Sequence, residues 1–148
     1  MRVVLQVVQN ASVTIDNKLY SSINEGFLLL VGFTQGDNEE TVKKVIDKII
    51  SLRIFMDENG KTNLAFLDAK REILCVSQFT LYADVKKGRR PSFVKALGHQ
   101  EASSLYDYTL SYIRSLNIDC KQGVFGADMK VNLLNDGPFT LIIDSEDL

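Results

Sequence analysis

The stretch Phe27-Leu28-Leu29-Leu30-Val31-Gly32-Phe33 decides the fold, because the whole run is uncharged and almost entirely apolar. A continuous apolar run of this length, preceded by the turn signal Glu25-Gly26, predicts a strand that is buried on both faces. Residues Glu72–Phe79 form a second run of the same kind. Two such strands predict a sheet that other elements cover on both sides.

The sequence on either side of these two strands supplies further elements. The remaining strand patterns are Val3–Gln9, Ala11–Ile15, Leu19–Ile23, Met129–Leu134 and Phe139–Ile143. Helical periodicity predicts one helix capped by Asp37 or Asn38 and ending near Leu52–Phe55, and a second over Gln100–Leu116. We therefore expect an α+β fold in one domain, residues 1–148, with a mostly antiparallel, barrel-like sheet and two main helices.

Composition excludes several classes of protein. The net charge of −2 argues against a chain that coats nucleic acid over its whole surface. No apolar segment approaches the ~20 residues of a membrane span, and the start of the chain lacks the pattern of a signal peptide. We expect a cytoplasmic protein that needs no cofactor and whose two cysteines, Cys75 and Cys120, are reduced and buried.

His99 is the only histidine, so a metal site built on several histidines is excluded, and no metal is expected. A catalytic triad with histidine as its base would have to use this residue. Its position just before the second predicted helix favours a surface or capping role.

Polar residues end the second buried strand abruptly. The segment Ser77–Thr80, called the strand-end segment below, follows Val76 without a turn signal. Strand ends bring fixed side chains and free backbone N–H groups to a ligand. The alternative is an ordinary strand end, in which Gln78 faces solvent.

Asn135–Pro138, the Gly-Pro segment below, separates the last two predicted strands. Asp-Gly and Gly-Pro are both turn signals, so a tight turn between the two strands is the simplest interpretation. X-Pro bonds are cis in only about 5–6% of cases, so composition does not decide the isomer of Pro138.

A basic loop follows the strand-end segment. Its cations are Lys86, Lys87, Arg89 and Arg90. Such a cluster is able to contact a phosphate backbone, although a solvated loop is the common alternative.

With these residues in view, the chain resembles the D-aminoacyl-tRNA deacylase family of bacteria and eukaryotes over its whole length. The motifs that carry the resemblance are Ala11-Ser12-Val13, Leu52–Phe55, Ser77–Leu81, Arg90–Phe93, Phe125–Met129 and Asn135–Pro138. Each motif is weak alone, whereas their order and spacing together are specific.

The resemblance implies an enzyme that hydrolyses the ester bond of D-aminoacyl-tRNA. It implies a homodimer in which the cis dipeptide Gly137-Pro138 of one subunit reaches the partner's active site and excludes L side chains. Glycyl-tRNA should then also be a substrate, because glycine has no side chain to reject. The implied catalytic residues are Ser77, Gln78, Phe79 and Thr80; Gly137, Pro138 and Met129 are implied to bind substrate, and Lys86, Lys87, Arg89 and Arg90 to bind tRNA.

Two roles for Thr80 remain open. It is either a nucleophile, for which the chain offers no evident base, or a residue that positions substrate while the ribose 2′-hydroxyl assists attack by water.

One residue departs from the family pattern, since Val7 stands where the family usually has arginine beside the Gly-Pro segment.

An RNA-binding protein of the same fold without hydrolytic activity is the alternative function. A dimeric structural protein in which Gly137-Pro138 is only a turn is a third.

Overall fold

The computed structural model describes residues 1–148 and contains eight strands and three helices. The strands are β1 (Arg2–Ile15), β2 (Lys18–Ile23), β3 (Gly26–Gly32), β4 (Phe55–Met56), β5 (Thr62–Leu64), β6 (Glu72–Ser77), β7 (Cys120–Gln122) and β8 (Lys130–Asp144). The helices are α1 (Glu39–Ser51), the single-turn α2 (Phe66–Ala69) and α3 (His99–Ser115). The α+β class and the two main helices are confirmed.

A mixed, nearly closed sheet forms the centre of the molecule. Its strand order is β2-β1-β3-β6-β7, and β8 pairs with the remaining edge of β1. The pairs that involve β1 are antiparallel, whereas β6 runs parallel to both β3 and β7. Ser21 on β2 donates a hydrogen bond to the Gln122 carbonyl on β7, at 2.7 Å, which draws the two ends of the sheet together.

The prediction that the apolar run Phe27–Phe33 is buried on both faces is confirmed. Phe27, Leu29 and Val31 belong to the larger core cluster, which also holds the apolar faces of α1 and α3. Leu28 points to the opposite side, into a smaller cluster with Leu74 of β6. Alternation along a strand places successive side chains on opposite faces, so this run joins two cores.

A local capping signal accounts for the start of α1, and a long-range contact holds α3 in place. The Asn38 side chain accepts from the Thr41 N–H at 3.0 Å, so Asn38, rather than Asp37, is the cap of α1. In α3 the Tyr106 hydroxyl donates to the Cys75 carbonyl at 2.8 Å. This contact fixes the helix against β6 and thereby positions its N-terminal end near the end of that strand.

The structure corrects the prediction for the Gly-Pro segment. The last two predicted strands do not form a hairpin but are the two halves of β8, which pairs along the length of β1. Gln6 lies opposite Thr140 and Val8 opposite Asn135, so residues 136–139 face only Val7. The segment is therefore a bulge within a strand, because β1 aligns both halves in the same direction.

No helix of the structure is long and apolar enough to cross a membrane.

Candidate functional site

The sequence pattern predicted that the second buried strand would run to Phe79, but β6 ends at Ser77. The last ladder bond joins the Gln78 N–H to the Val31 carbonyl at 2.7 Å, and a short 3-10 turn, Phe79–Tyr82, begins directly afterwards. Gly32 permits this return over β3, since a Cβ at that position would lie 2.8 Å from the Gln78 carbonyl oxygen. The strand-end segment thus leaves the sheet at the ends of two parallel strands.

A cavity of about 670 Å³ opens beside the strand-end segment. Ser77, Gln78 and Phe79 line it, whereas Thr80 lies outside its wall. The other parts of the wall come from the ends of β3 and β6, the start of α3, the segment before β8 and the start of β8. Residues from these parts include Val31, Leu97, His99, Phe125 and Met129.

Aromatic rings form much of the rim of the cavity. Phe79 is 55% exposed and meets Phe93 edge to face, with ring centroids 5.0 Å apart. Across the cavity, His99 meets Phe125 in the same way at 5.1 Å. Exposed rings at a cavity mouth are unusual in a core-forming role and suit stacking against a flat ligand.

His99 belongs to this rim, which sequence reasoning did not predict. It is an exposed residue, as expected, but Gly98 rather than His99 caps α3. It shares the cavity with Phe125, which is distant in the sequence, and a local pattern carries no signal for such a contact.

Thr80 has one polar side-chain contact. The Gln78 amide donates to its hydroxyl oxygen at 2.5 Å. A nucleophilic hydroxyl instead donates its proton to a base, and no carboxylate, histidine or lysine hydrogen-bonds to Thr80.

The two cysteines are free and buried, as expected. Burial raises the pKa of the Cys75 thiol well above its usual range and that of Cys120 to about 12. Neither thiol is therefore ionised near neutral pH, and neither has the thiolate character of a nucleophile.

The basic loop lies beside the cavity. Asp84 and Ser92 pair with each other, so the residues between them form a loop that returns to the cavity through Phe93. Its cations are exposed and make no ion pair: Lys86, Lys87, Arg89 and Arg90.

The Gly-Pro segment lies away from this cavity within the chain. Gly137 and Pro138 are not among the residues that line the cavity, although Val131, near the start of the same strand, is. The Gly137-Pro138 bond is cis, and both residues are exposed. One chain therefore does not bring Gly137 and Pro138 together with Ser77–Thr80.

Val7 occupies an apolar position. It is 7% exposed and belongs to the larger core cluster, against which Phe139 also packs. No side-chain hydrogen bond or ion pair involves residues 135–139. Val7 therefore packs against the apolar core beside the bulge, at the position where the family usually has arginine.

Fold and cavity together define a small α+β protein with a cavity at the carboxyl ends of two parallel strands. The family described as D-Tyr-tRNA(Tyr) deacylase matches residues 4–144. The chain belongs to this family, and the expected assignment as a D-aminoacyl-tRNA deacylase is confirmed at the level of the family.

Individual relatives agree with this assignment. D-aminoacyl-tRNA deacylase of Clostridium beijerinckii is 49% identical over 146 residues, which cover 99% of this chain and 98% of the relative. The protein of the same description from Lactobacillus gasseri is 51% identical over 144 residues, covering 97% of this chain and 99% of the relative.

Two solved structures share the fold. The c-Myc DNA Unwinding Element Binding Protein superposes with a TM-score of 0.91 at 38% identity, covering 97% of this chain and 98% of that one. A probable eukaryotic D-amino acid tRNA deacylase superposes with a TM-score of 0.84 at 18% identity, covering 96% and 97%. At that lower identity, the second likeness shows the fold alone.

Proposed function

We propose that this chain hydrolyses the ester bond of D-aminoacyl-tRNA and releases the free D-amino acid and tRNA. The observation that carries the proposal is the strand-end segment, whose residues open onto a cavity beside four unpaired cations. The family and the names of its relatives support the same activity. Such an enzyme acts in the cytoplasm, where aminoacyl-tRNA is used.

The cavity is the proposed site for the terminal aminoacyl-adenosine. Its volume of about 670 Å³ lies in the range typical of small-molecule sites. The rings of Phe79 and Phe125 offer stacking surfaces to a nucleobase, and the flexible side chain of Met129 adapts to its outline. The basic loop would then hold the phosphate backbone of the tRNA outside the cavity.

Catalysis is proposed to depend on the backbone more than on a side-chain nucleophile. The first N–H groups of a helical turn have no partner within it, so those of Phe79 and Thr80 are suited to hold the oxyanion that forms when water attacks the ester. Thr80 accepts from Gln78 and has no base beside it, which favours a positioning role. The ribose 2′-hydroxyl of the substrate would assist the attacking water.

A second copy of the chain is proposed to complete the site. β8 has one free edge and exposes Leu133, Leu134 and Ile142, the last of them 72% exposed. The unpaired backbone groups of an edge strand are a template for pairing with another chain, and exposed apolar side chains beside them favour such an interface. In a dimer covered in this way, Gly137-Pro138 of one subunit would enter the cavity of the other.

The Gly137-Pro138 dipeptide is proposed as the chiral filter. Main-chain atoms that read the α-amino group leave no room for an L side chain and need no pocket for a D side chain. The filter would accept many D-amino acids, and glycyl-tRNA would pass it because glycine has no side chain.

The test is hydrolysis of D-Tyr-tRNA, L-Tyr-tRNA and glycyl-tRNA by the purified protein. We expect release of D-tyrosine and glycine and retention of L-tyrosine. Equal rates for the two enantiomers, or release of neither, would contradict the proposal.

A second candidate function is nucleic-acid binding without hydrolysis. It is favoured by the similarity to the c-Myc DNA Unwinding Element Binding Protein at 38% identity, and by Val7 at the position of the family arginine. It predicts salt-dependent binding of tRNA with no loss of the ester. Measuring binding and release on the same D-Tyr-tRNA preparation separates the two functions.

A further inference from the structure

We infer that Arg2 is a positioning residue for the strand-end segment, acting through the carbonyl of Leu81 on the turn Phe79–Tyr82. The inference rests on the proposed function, since it assigns a role in the reaction to a residue outside the cavity. Arg2 lies at the start of β1, and its side chain makes no hydrogen bond or ion pair to a residue of Ser77–Thr80.

The Arg2 guanidinium is fixed by contacts on three sides. It donates to Asp144 through Nε at 2.8 Å, and a second nitrogen lies 2.7 Å from the same carboxylate oxygen. A third nitrogen donates to the Leu81 carbonyl at 2.9 Å. The guanidinium carbon also lies 4.9 Å from the centre of the Tyr82 ring. A planar fork held in this way has little freedom to move.

The turn needs such an external contact. It contains four residues, and its backbone bonds include Leu81 N–H to the Gln78 carbonyl at 3.3 Å and Ala83 N–H to the Thr80 carbonyl at 3.0 Å. The first of these bonds is long, so the turn holds its own shape only weakly. Arg2 supplies a charge-assisted bond to the same turn, which fixes Phe79 and Thr80 relative to the sheet.

Arg2 also links the turn to β8. Asp144 is the last residue of β8, the strand that carries the Gly-Pro segment. Desolvation opposes its ionisation, but the Glu146 N–H and Arg2 outweigh it and hold the pKa of Asp144 below its usual range. The carboxylate is therefore charged at neutral pH, and Arg2 joins the turn Phe79–Tyr82 to the end of β8.

A matched cluster elsewhere in the chain supplies the control. Arg71 pairs with Glu25 and lies 5.8 Å from the Phe55 ring. The side chain of Arg71 is 38% exposed and that of Arg2 is 36% exposed. Arg71 makes no hydrogen bond to a carbonyl of the turn, so its loss reports what an arginine–carboxylate–aromatic cluster contributes to stability alone.

The experiment compares Arg2→Ala, Arg2→Lys and Arg71→Ala for kcat and KM on D-Tyr-tRNA and for thermal unfolding. We expect Arg2→Ala to lower kcat by about ten- to hundredfold, the effect of one hydrogen bond to a charged group, with KM nearly unchanged. Arg2→Lys keeps the charge without the fork and should fall between the wild type and Arg2→Ala. Arg71→Ala should keep the wild-type kcat while losing thermal stability.

A second readout does not depend on activity. In two-dimensional NMR of the folded protein, Arg2→Lys should shift the amide signals of Phe79 and Thr80, and Arg71→Lys should leave them in place. Unchanged amide signals, an unchanged kcat in folded Arg2 variants, or a rise in KM alone would overturn the positioning role. A wild type that leaves D-Tyr-tRNA intact would overturn the proposed function instead, and the amide shifts would then decide the role of Arg2.

Discussion

The strand-end segment and the Gly-Pro segment differ in how much of their surroundings one chain supplies. Ser77, Gln78 and Phe79 line a cavity whose other walls come from the same chain. Gly137 and Pro138 lie exposed on a strand with a free edge. One half of the proposed site is therefore complete in the monomer, and the other half requires a second copy.

This difference makes the proposed site testable in parts. A change that prevents assembly should remove the Gly-Pro segment from the partner's cavity without touching the cavity itself. A change within the Gly-Pro segment should leave assembly in place and should lower both D-Tyr-tRNA hydrolysis and selectivity. A change within the strand-end segment should act on the rate alone.

The largest effect is expected for Ile142→Lys. Its side chain is 72% exposed on β8, and a charge there on both copies would repel across the proposed interface. We expect a folded monomer whose D-Tyr-tRNA hydrolysis has fallen by at least about a hundredfold, a barrier increase of roughly 2.7 kcal/mol. Sedimentation and a hydrolysis assay at the same concentration provide the measurement.

Leu19→Lys is the matched control for that change. Leu19 is 67% exposed and lies on β2, away from β8. It should leave both the mass in solution and the activity unchanged. A monomeric Ile142→Lys protein with full activity would show that one chain holds the complete site.

A smaller effect is expected for Gly137→Ala. Gly137 has a φ of +122°, which side chains rarely adopt, and a Cβ there would lie 2.9 Å from the Phe139 nitrogen. The local backbone should shift at a cost of about 1–3 kcal/mol and lower D-Tyr-tRNA hydrolysis by about ten- to hundredfold. The rates on both enantiomers and the mass in solution are to be measured.

Two controls accompany Gly137→Ala. Gly60 also has a positive φ, +72°, but lies in an exposed turn with open space around it, so Gly60→Ala should lower stability and not selectivity. His99→Ala should cost less activity than Gly137→Ala, because no base is required of it. If His99→Ala alone abolishes turnover, the proposed mechanism is wrong.

The smallest effect is expected for Thr80→Ala. A positioning hydroxyl contributes about one hydrogen bond, so kcat should fall by roughly five- to tenfold. Thr80→Ser retains the hydroxyl and should stay near the wild type. A loss of a thousandfold or more in Thr80→Ala, restored by Thr80→Ser, would make Thr80 the nucleophile.

Much of the fold could be predicted from local patterns. The continuous apolar run at 27–33 indicated a strand buried on both faces, and Asn38 was one of the two predicted caps of α1. These features depend on a residue and its near neighbours, so the sequence carries their signal directly. The polar residues that follow Val76 likewise indicated the strand-end segment, because the change from apolar to polar residues is local.

The sequence patterns failed to predict features that depend on residues far apart in the sequence. The Gly-Pro segment has the composition of a turn, yet β1 pairs with both sides of it and makes it a bulge. Likewise, His99 lines the cavity together with Phe125, a residue distant in the sequence whose ring it meets. The composition of a turn, or a single histidine, does not predict which distant strand or aromatic ring that residue will contact.

The sequence by itself determined the α+β class, the buried strands, the two main helices and the position of the polar break after Val76, because burial periodicity and capping are local. Only the tertiary structure decided that Ser77, His99 and Met129 share one cavity and that Gly137 lies outside it. The physical reason is strand pairing: β3 and β6 run in parallel and end at the same place, whereas β8 pairs with β1 alone and carries its bulge along a free edge.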